Sequence, residues 1–220
     1  MTTSSNAFPL ELDHFFIQVH KDAPETQTLI ALGFHHSGHF NRHIGLGTKG
    51  TYFNFENISI ELLWIEDEAE FASASLMFGR PPFGFAFHHN KAGVSAPLPF
   101  ETNAFHWDWM PPDSFLHFAK RDPASLEPLF FVVPDGIAFP EEDNDMPSEL
   151  TAHPLGIKQL STLRVIIPSQ ELSATAQLLS ANTNVKIENG SESRLELTFD
   201  NEAQGKIVDV RPTLPLLIRY

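Results

Sequence analysis

The first regular pattern along the chain is an apolar, β-branched and aromatic run, LDHFFIQV at residues 12–19, which predicts a strand. A helix start signal follows it. Asp22 can serve as N-cap, Glu25 stands three residues later, and Gly33 closes the helix. The chain therefore begins with a strand and then a helix.

Two further strands are predicted by TYFNF at 51–55 and NISIELLWI at 57–65, with a turn between them. The last third of the chain repeats this order. LSTLRVII at 160–167 predicts a strand and SQELSATAQLLSAN a helix, and three short strands follow, in VKIEN, SRLELTF and GKIVDVRP. Placing Leu12 on Leu160 brings both units into line without a net gap, which favours a duplicated βαβββ unit.

The middle of the chain is less regular. Strands are predicted in PPFGFAFHH at 81–89, in NAFHWDWM at 103–110 and in PLFFVVP at 128–134, and Asp113 is expected to open a short helix. The acidic segment PEEDND at 140–145 is interpreted as an exposed linker, and EDEAE at residues 66–70 as solvated surface.

Composition narrows the classes of function. Twenty phenylalanines against two tyrosines indicate a core or pocket wall of rings that carry no polar group. A net charge of -14 argues against binding to nucleic acid or an anionic membrane. Without cysteine there is no disulfide framework, thiolate metal site or cysteine nucleophile. No signal peptide or spanning segment is apparent, so a cytoplasmic location is expected.

The stretch FHHSGHFNRHIGLGT at 34–48 contains four histidines within nine positions. His35, His36 and His39 lack the regular spacing that would set a ligand fork, and we expect them to face solvent. His43 stands next to glycines that allow a close backbone approach, so it is a candidate for the rim of a cleft. No P-loop, GxGxxG, GxSxG or HExxH motif is present, and no nucleotide cofactor is expected.

Several short motifs resemble the glyoxalase-like branch of the vicinal-oxygen-chelate superfamily. They are LDHFFIQV, ALGF after the first helix, HIGLGT, ISIELL and HPLGI. The resemblance implies an α+β fold in which paired βαβββ modules form a curved, half-barrel mixed sheet around a cleft. We place the first module at residues 8–66, an irregular middle segment with additional strands at 67–152, and the second module at 153–220, all in one compact domain.

The resemblance also implies a divalent metal ion, of unspecified identity, held by His14 on the first strand and Glu61 on the fourth. The equivalents in the last module are Thr162, a poor ligand, and Asp209, which could complete the site. Glu61 and His43 are the candidate catalytic residues. A third ligand could also come from one of four histidines: His43, His88, His106 or His153.

Other polar residues have competing interpretations. His106 and Asp108 would share one face of a strand as a base and its orienting group, or face solvent opposite two core tryptophans. Arg164, inside an apolar strand, could bind a carboxylate.

Two functions stay open at this point. One is a metal-dependent lyase, isomerase or dioxygenase acting on a small molecule with vicinal oxygens. The alternative is a metal-free protein that binds or sequesters a hydrophobic or aromatic small molecule, which the missing histidine at Thr162 and the many phenylalanines favour. A homodimer is compatible with either, and a surface that serves only subunit contacts is a third option.

Overall fold

The computed structural model describes residues 8–90, 96–108, 110–134, 148–169 and 171–220, apart from the side chain of Met77. The predicted linker at 140–145 lies outside the described residues. The helices are α1 (Thr26–Ala31), α2 (Glu68–Phe78), α3 (Ser148–Thr151) and α4 (Ala174–Asn182). The strands are β1 (Leu10–Gln18), β2 (Phe40–His43), β3 (Thr48–Asn54), β4 (Ser59–Ile65), β5 (Phe83–His89), β6 (Thr102–Phe105), β7 (Leu116–Ala119), β8 (Leu129–Val132), β9 (Leu160–Ile167), β10 (Val185–Asn189), β11 (Arg194–Phe199), β12 (Ile207–Asp209) and β13 (Leu216–Arg219).

Eight strands form one large mixed sheet in the order β2-β3-β4-β1-β5-β8-β7-β6. β1 pairs in parallel with β4, β5 pairs in parallel with β8, and the two halves join through the antiparallel pair of β1 and β5. Each half thus places its first strand at the centre, beside its fourth. The predicted α+β fold with a curved half-barrel sheet is confirmed.

The second half of this sheet comes from the middle of the chain, at 83–132, whereas the sequence pattern suggested the C-terminal segment. That segment forms a separate sheet in the order β10-β9-β11-β13-β12. Its first strand pairs with β10 and β11 and does not adjoin β12, so Thr162 and Asp209 are not related as His14 and Glu61 are. The apolar run of β5 suits the centre of the large sheet, because a strand buried on both faces carries few polar residues.

The two faces of the large sheet bury different clusters, as alternating side chains require. On one face, Phe15 and Ile17 belong to a core that also contains residues of the smaller sheet, such as Leu163 and Leu197. On the other face, Phe16 and Phe131 belong to a second cluster that includes residues of α2. This second face carries the pocket described below.

Two local expectations about helices were wrong. α1 begins at Thr26, because Asp22 adopts a positive φ of 64° in a turn and Glu25 occupies the N-cap position. Asp113 also has a positive φ, of 61°, and lies in a turn before β7 and not in a helix.

The segment EDEAE lies at the surface, as expected, since none of its residues is buried, and it also contains the start of α2. The Asp67 carboxylate accepts from the backbone N–H groups of Ala69 and Glu70, both at 3.0 Å, and so caps the helix. Its acidic first turn also complements the helix dipole. No helix among the described residues has the length and apolar character needed to cross a bilayer.

Candidate functional site

A pocket of about 760 Å³ lies between the large sheet and α2. Its polar wall comes from the first half of the sheet, where β1, β3 and β4 present His14, Tyr52 and Glu61. Its apolar wall comes from the second half, which presents Phe118 and Phe131. Helix α2 adds three residues spaced at i, i+3 and i+7, which place Phe71, Ala74 and Phe78 over the pocket.

An irregularity in β1 brings two neighbouring side chains into this pocket. Leu12 pairs with Phe87 and His14 pairs with Ala86, so Asp13 is an additional residue inserted between them in β1. Successive residues of a regular strand point to opposite faces, whereas a bulge can turn both towards one side. Asp13 and His14 both line the pocket, and a carboxylate oxygen of Asp13 bonds the Nδ1 atom of His14.

This pair determines the ionisation of His14. Burial opposes the charged imidazolium and is the largest single influence, but the Asp13 hydrogen bond and the charges of Asp13 and Glu61 together outweigh it. The pKa of His14 is therefore raised above its ordinary value of 6.5. The imidazole also stands edge-on to Phe131, with ring centroids 5.9 Å apart.

Glu61 is a buried acidic residue of the pocket, at 2% exposure. Its Oε1 atom accepts from the Tyr52 hydroxyl at 3.0 Å and lies 3.5 Å from Nε2 of His43. Burial and the charge of Glu61 raise the pKa of Tyr52, which keeps the phenol protonated as the donor. Nδ1 of His43 in turn lies 3.0 Å from the Thr48 hydroxyl. The predicted pair of Glu61 and His43 is thus in contact.

A glycine makes room for this carboxylate. A Cβ atom on Gly50 would stand 1.7 Å from Oε1 of Glu61, far inside any nonbonded contact. The backbone of β3 can therefore approach the Glu61 side chain only with glycine at this position.

Other sequence-predicted candidates lie away from the pocket. Asp209 is on β12 of the smaller sheet, where the Arg211 guanidinium donates to it and holds its pKa at about 2. Arg164 binds two protein carboxylates, those of Glu188 and Glu196. Asp209 and Arg164 are therefore both bound to other residues of the smaller sheet.

The remaining histidine candidates are also used elsewhere. His88 lies 3.3 Å from Glu11, and His106 is exposed outside β6. The predicted strand ends early, at Phe105, so His106 and Asp108 do not share a strand face; Trp109 falls outside the described residues. His153 is buried, and its Nδ1 atom accepts from the backbone N–H of His35 at 2.9 Å, while Nε2 lies 2.9 Å from the Asn54 carbonyl. Because a carbonyl only accepts, Nε2 carries the proton.

The four clustered histidines separate in the structure. His39 is exposed, as expected, and lines the pocket. The expectation of solvent-facing side chains was wrong for His35 and His36, which are half-buried. The ring of His36 packs on Phe53, with centroids 5.3 Å apart, and burial together with the charge of His35 lowers its pKa below 6.5.

The donor set does not fit a metal centre with three protein ligands. Within the described residues, no three His, Asp or Glu side chains form a group that could hold a metal ion. The second half of the sheet presents Leu129 and Phe131 to the pocket, and neither side chain can bind a metal ion. The first half alone supplies His14 and Glu61.

Sequence reasoning missed Asp13, Tyr52 and the cover formed by α2. The adjacent Asp and His were visible, but their joint orientation depends on the bulge, which has no local sequence signal. The spacing of Phe71, Ala74 and Phe78 could have indicated the apolar face of α2.

The sequence and the structure were compared with those of known proteins. No protein-family model matches the sequence, and no curated protein matches it significantly. A hypothetical protein from Staphylococcus aureus is similar over 96% of this chain and 98% of its own, with a TM-score of 0.52 and 14% identity. Methylmalonyl-CoA epimerase from Mycobacterium tuberculosis matches over 61% of this chain and 92% of its own, at 15% identity and a TM-score of 0.38. A mutant 4-hydroxymandelate synthase from Streptomyces coelicolor matches over 96% and 62%, at 14% identity and a TM-score of 0.44. At 14% identity, the similarity to the Staphylococcus aureus protein shows the fold alone.

Proposed function

We propose that this chain, which has the fold of the vicinal-oxygen-chelate superfamily, binds a small organic molecule in the pocket beneath α2. The observation that carries the proposal is the division of the pocket into two walls. Phe118 and Phe131 offer an apolar surface to the body of a ligand, while His14 and Glu61 offer hydrogen-bonding groups to its polar end. A volume of about 760 Å³ lies within the range usual for small-molecule sites.

Filling the pocket tests this proposal. Ala74 faces the pocket from α2, so Ala74→Trp should occupy the space and weaken binding of a neutral, environment-sensitive naphthalene dye at least tenfold. Ala72 lies on the same helix but is exposed, and Ala72→Trp is the matched control that should leave binding unchanged. Dye fluorescence titrations measure both variants, with circular dichroism confirming their fold. Equal binding by both would contradict the proposed site, as would a wild type that binds no dye.

The alternative is a metal-dependent enzyme, a lyase, isomerase or dioxygenase, acting on a substrate with vicinal oxygens. What supports it is the bond between Asp13 and Nδ1 of His14, because histidine ligands commonly donate their other nitrogen to a carboxylate. It would rest on His14 and Glu61, since Asp209 belongs to the smaller sheet.

Calorimetric titration of metal-stripped protein with Mn²⁺, Ni²⁺ or Zn²⁺ separates the two functions. A stoichiometric ion that is lost in His14→Ala supports the metal-dependent enzyme. Dye binding that persists in chelator and is unaffected by added metal supports the binding function.

A further inference from the structure

The charge of the pocket is one-sided. Two buried carboxylates, Asp13 and Glu61, line it at 5% and 2% exposure. None of the described residues in its wall is lysine or arginine. The side chains in that wall that can carry a positive charge are histidines: His14, His39 and His43.

The two inner histidines leave no positive charge for a ligand. His14 bonds to Asp13, and Nε2 of His43 lies 3.5 Å from Glu61, so each faces a carboxylate of its own. Each imidazole can at most balance the carboxylate beside it, so the inner pocket offers no net positive charge to an anion.

Basic residues in the segments around the pocket are also paired. Arg42 lies 3.2 Å from Glu70, and Arg80 lies 3.4 Å from Glu68. Lys49 stands 5.7 Å from the ring centroid of Phe40. None of these three cations lines the pocket. The surroundings therefore do not offset the carboxylates inside.

We infer that the ligand of this pocket is a hydrophobic organic cation, an amine or ammonium group on an aromatic or aliphatic body. The inference rests on the proposed binding function and specifies its ligand class. No lysine or arginine among the described residues of the wall offsets the two buried carboxylates, and a bound cation would supply a fixed positive charge beside them. The rings of Phe118 and Phe131 suit the apolar body, and aromatic faces also attract cations.

Three naphthalene compounds of similar size isolate the effect of charge: the cation of 1-naphthylmethylamine, neutral 1-naphthylmethanol, and the acetate anion of 1-naphthylacetic acid. Affinities are measured by calorimetry with metal-stripped protein at pH 7.5 and low salt. The amine should bind on the order of tenfold more tightly than the alcohol, with the acetate weakest. An alcohol that binds as tightly as the amine, or an acetate that binds most tightly, overturns the ligand class but leaves the binding function standing. If none of the three binds, the proposed binding function itself fails.

Variants locate the source of this preference. Glu61→Gln keeps the shape of the side chain and removes its charge. The affinity for the amine should therefore fall to within about threefold of the affinity for the alcohol. Glu188→Gln makes the same change at an exposed position of β10, in the smaller sheet, and should leave the ratio of the two affinities unchanged. Should Glu61→Gln fail to fold, Asp13→Asn tests the second carboxylate. An amine preference that survives in both pocket variants, or falls equally in Glu188→Gln, overturns the inference.

Discussion

Gly50 gives a direct test of where Glu61 lies. An alanine Cβ at this position would stand 1.7 Å from Oε1, 2.6 Å from Cδ and 2.8 Å from Cγ of Glu61. Nonbonded carbon atoms normally approach to about 3.5–4.0 Å, so the whole end of the Glu61 side chain would have to move. Gly50 has no positive φ and pairs regularly with Asn41 and Leu63, so the effect of Gly50→Ala is steric.

Two contributions set the size of the effect. Forcing extra volume into a packed site costs about 1–3 kcal/mol. Losing the hydrogen bond between Tyr52 and a buried carboxylate costs about 1.5–3 kcal/mol more. We therefore expect Gly50→Ala to lower the free energy of unfolding by roughly 2.5–6 kcal/mol. In a Glu61→Ala background the colliding atoms are gone, and the same change should cost less than about 1 kcal/mol.

Urea unfolding of the wild type, both single variants and the double variant gives the coupling energy between the two positions. Gly190→Ala is the matched control, because its Cβ would meet the side chain of Ile166 on the smaller sheet, away from Glu61. Its cost should be the same with and without Glu61. A cost for Gly50→Ala that is likewise independent of Glu61, within about 0.5 kcal/mol, would refute the placement of this carboxylate over β3.

Three further predictions concern ionisable groups. Asp13→Asn should lower the pKa of His14, because burial then opposes the imidazolium with less compensation, and NMR titration of the imidazole protons measures the change. In the wild type, the raised pKa of His14 stabilises the folded state below pH 6.5. This stabilisation is lost as the pH rises through the pKa of the folded state. Arg211→Met should raise the pKa of Asp209 from about 2 towards 3.8, and a carboxyl NMR titration that shows no change would contradict the pairing. Stabilisation from Asp209 is present above pH 3.8 and is lost as pH falls towards 2. His153→Ala should cost about 2–4 kcal/mol in urea unfolding, since it removes a buried ring and two hydrogen bonds, and a loss below about 1 kcal/mol would count against that role. Burial lowers the pKa of His153, so the stability that this neutral side chain contributes to the fold is present above pH 6.5 and declines as the pH falls.

Local patterns predicted much of the first half of the large sheet. The strands around His14 and Glu61 follow from residues that are close in sequence, and the resemblance assigned both positions to the site. The structure brings them into one pocket with His43. The strands of the C-terminal segment were also predicted, apart from β13, because each is a short run of alternating or apolar residues.

Only the tertiary structure decided which strands pair. A local pattern shows that a segment is a strand but not its neighbour, so nothing in the sequence indicated that β5 would join β1 and leave the C-terminal sheet apart. That pairing places the bulge at Asp13, turns Asp13 and His14 to one side, and provides the phenylalanine wall opposite them. It also leaves Asp209 on another sheet. The sequence by itself determined the residue types of the site, and long-range strand pairing determined which of them meet.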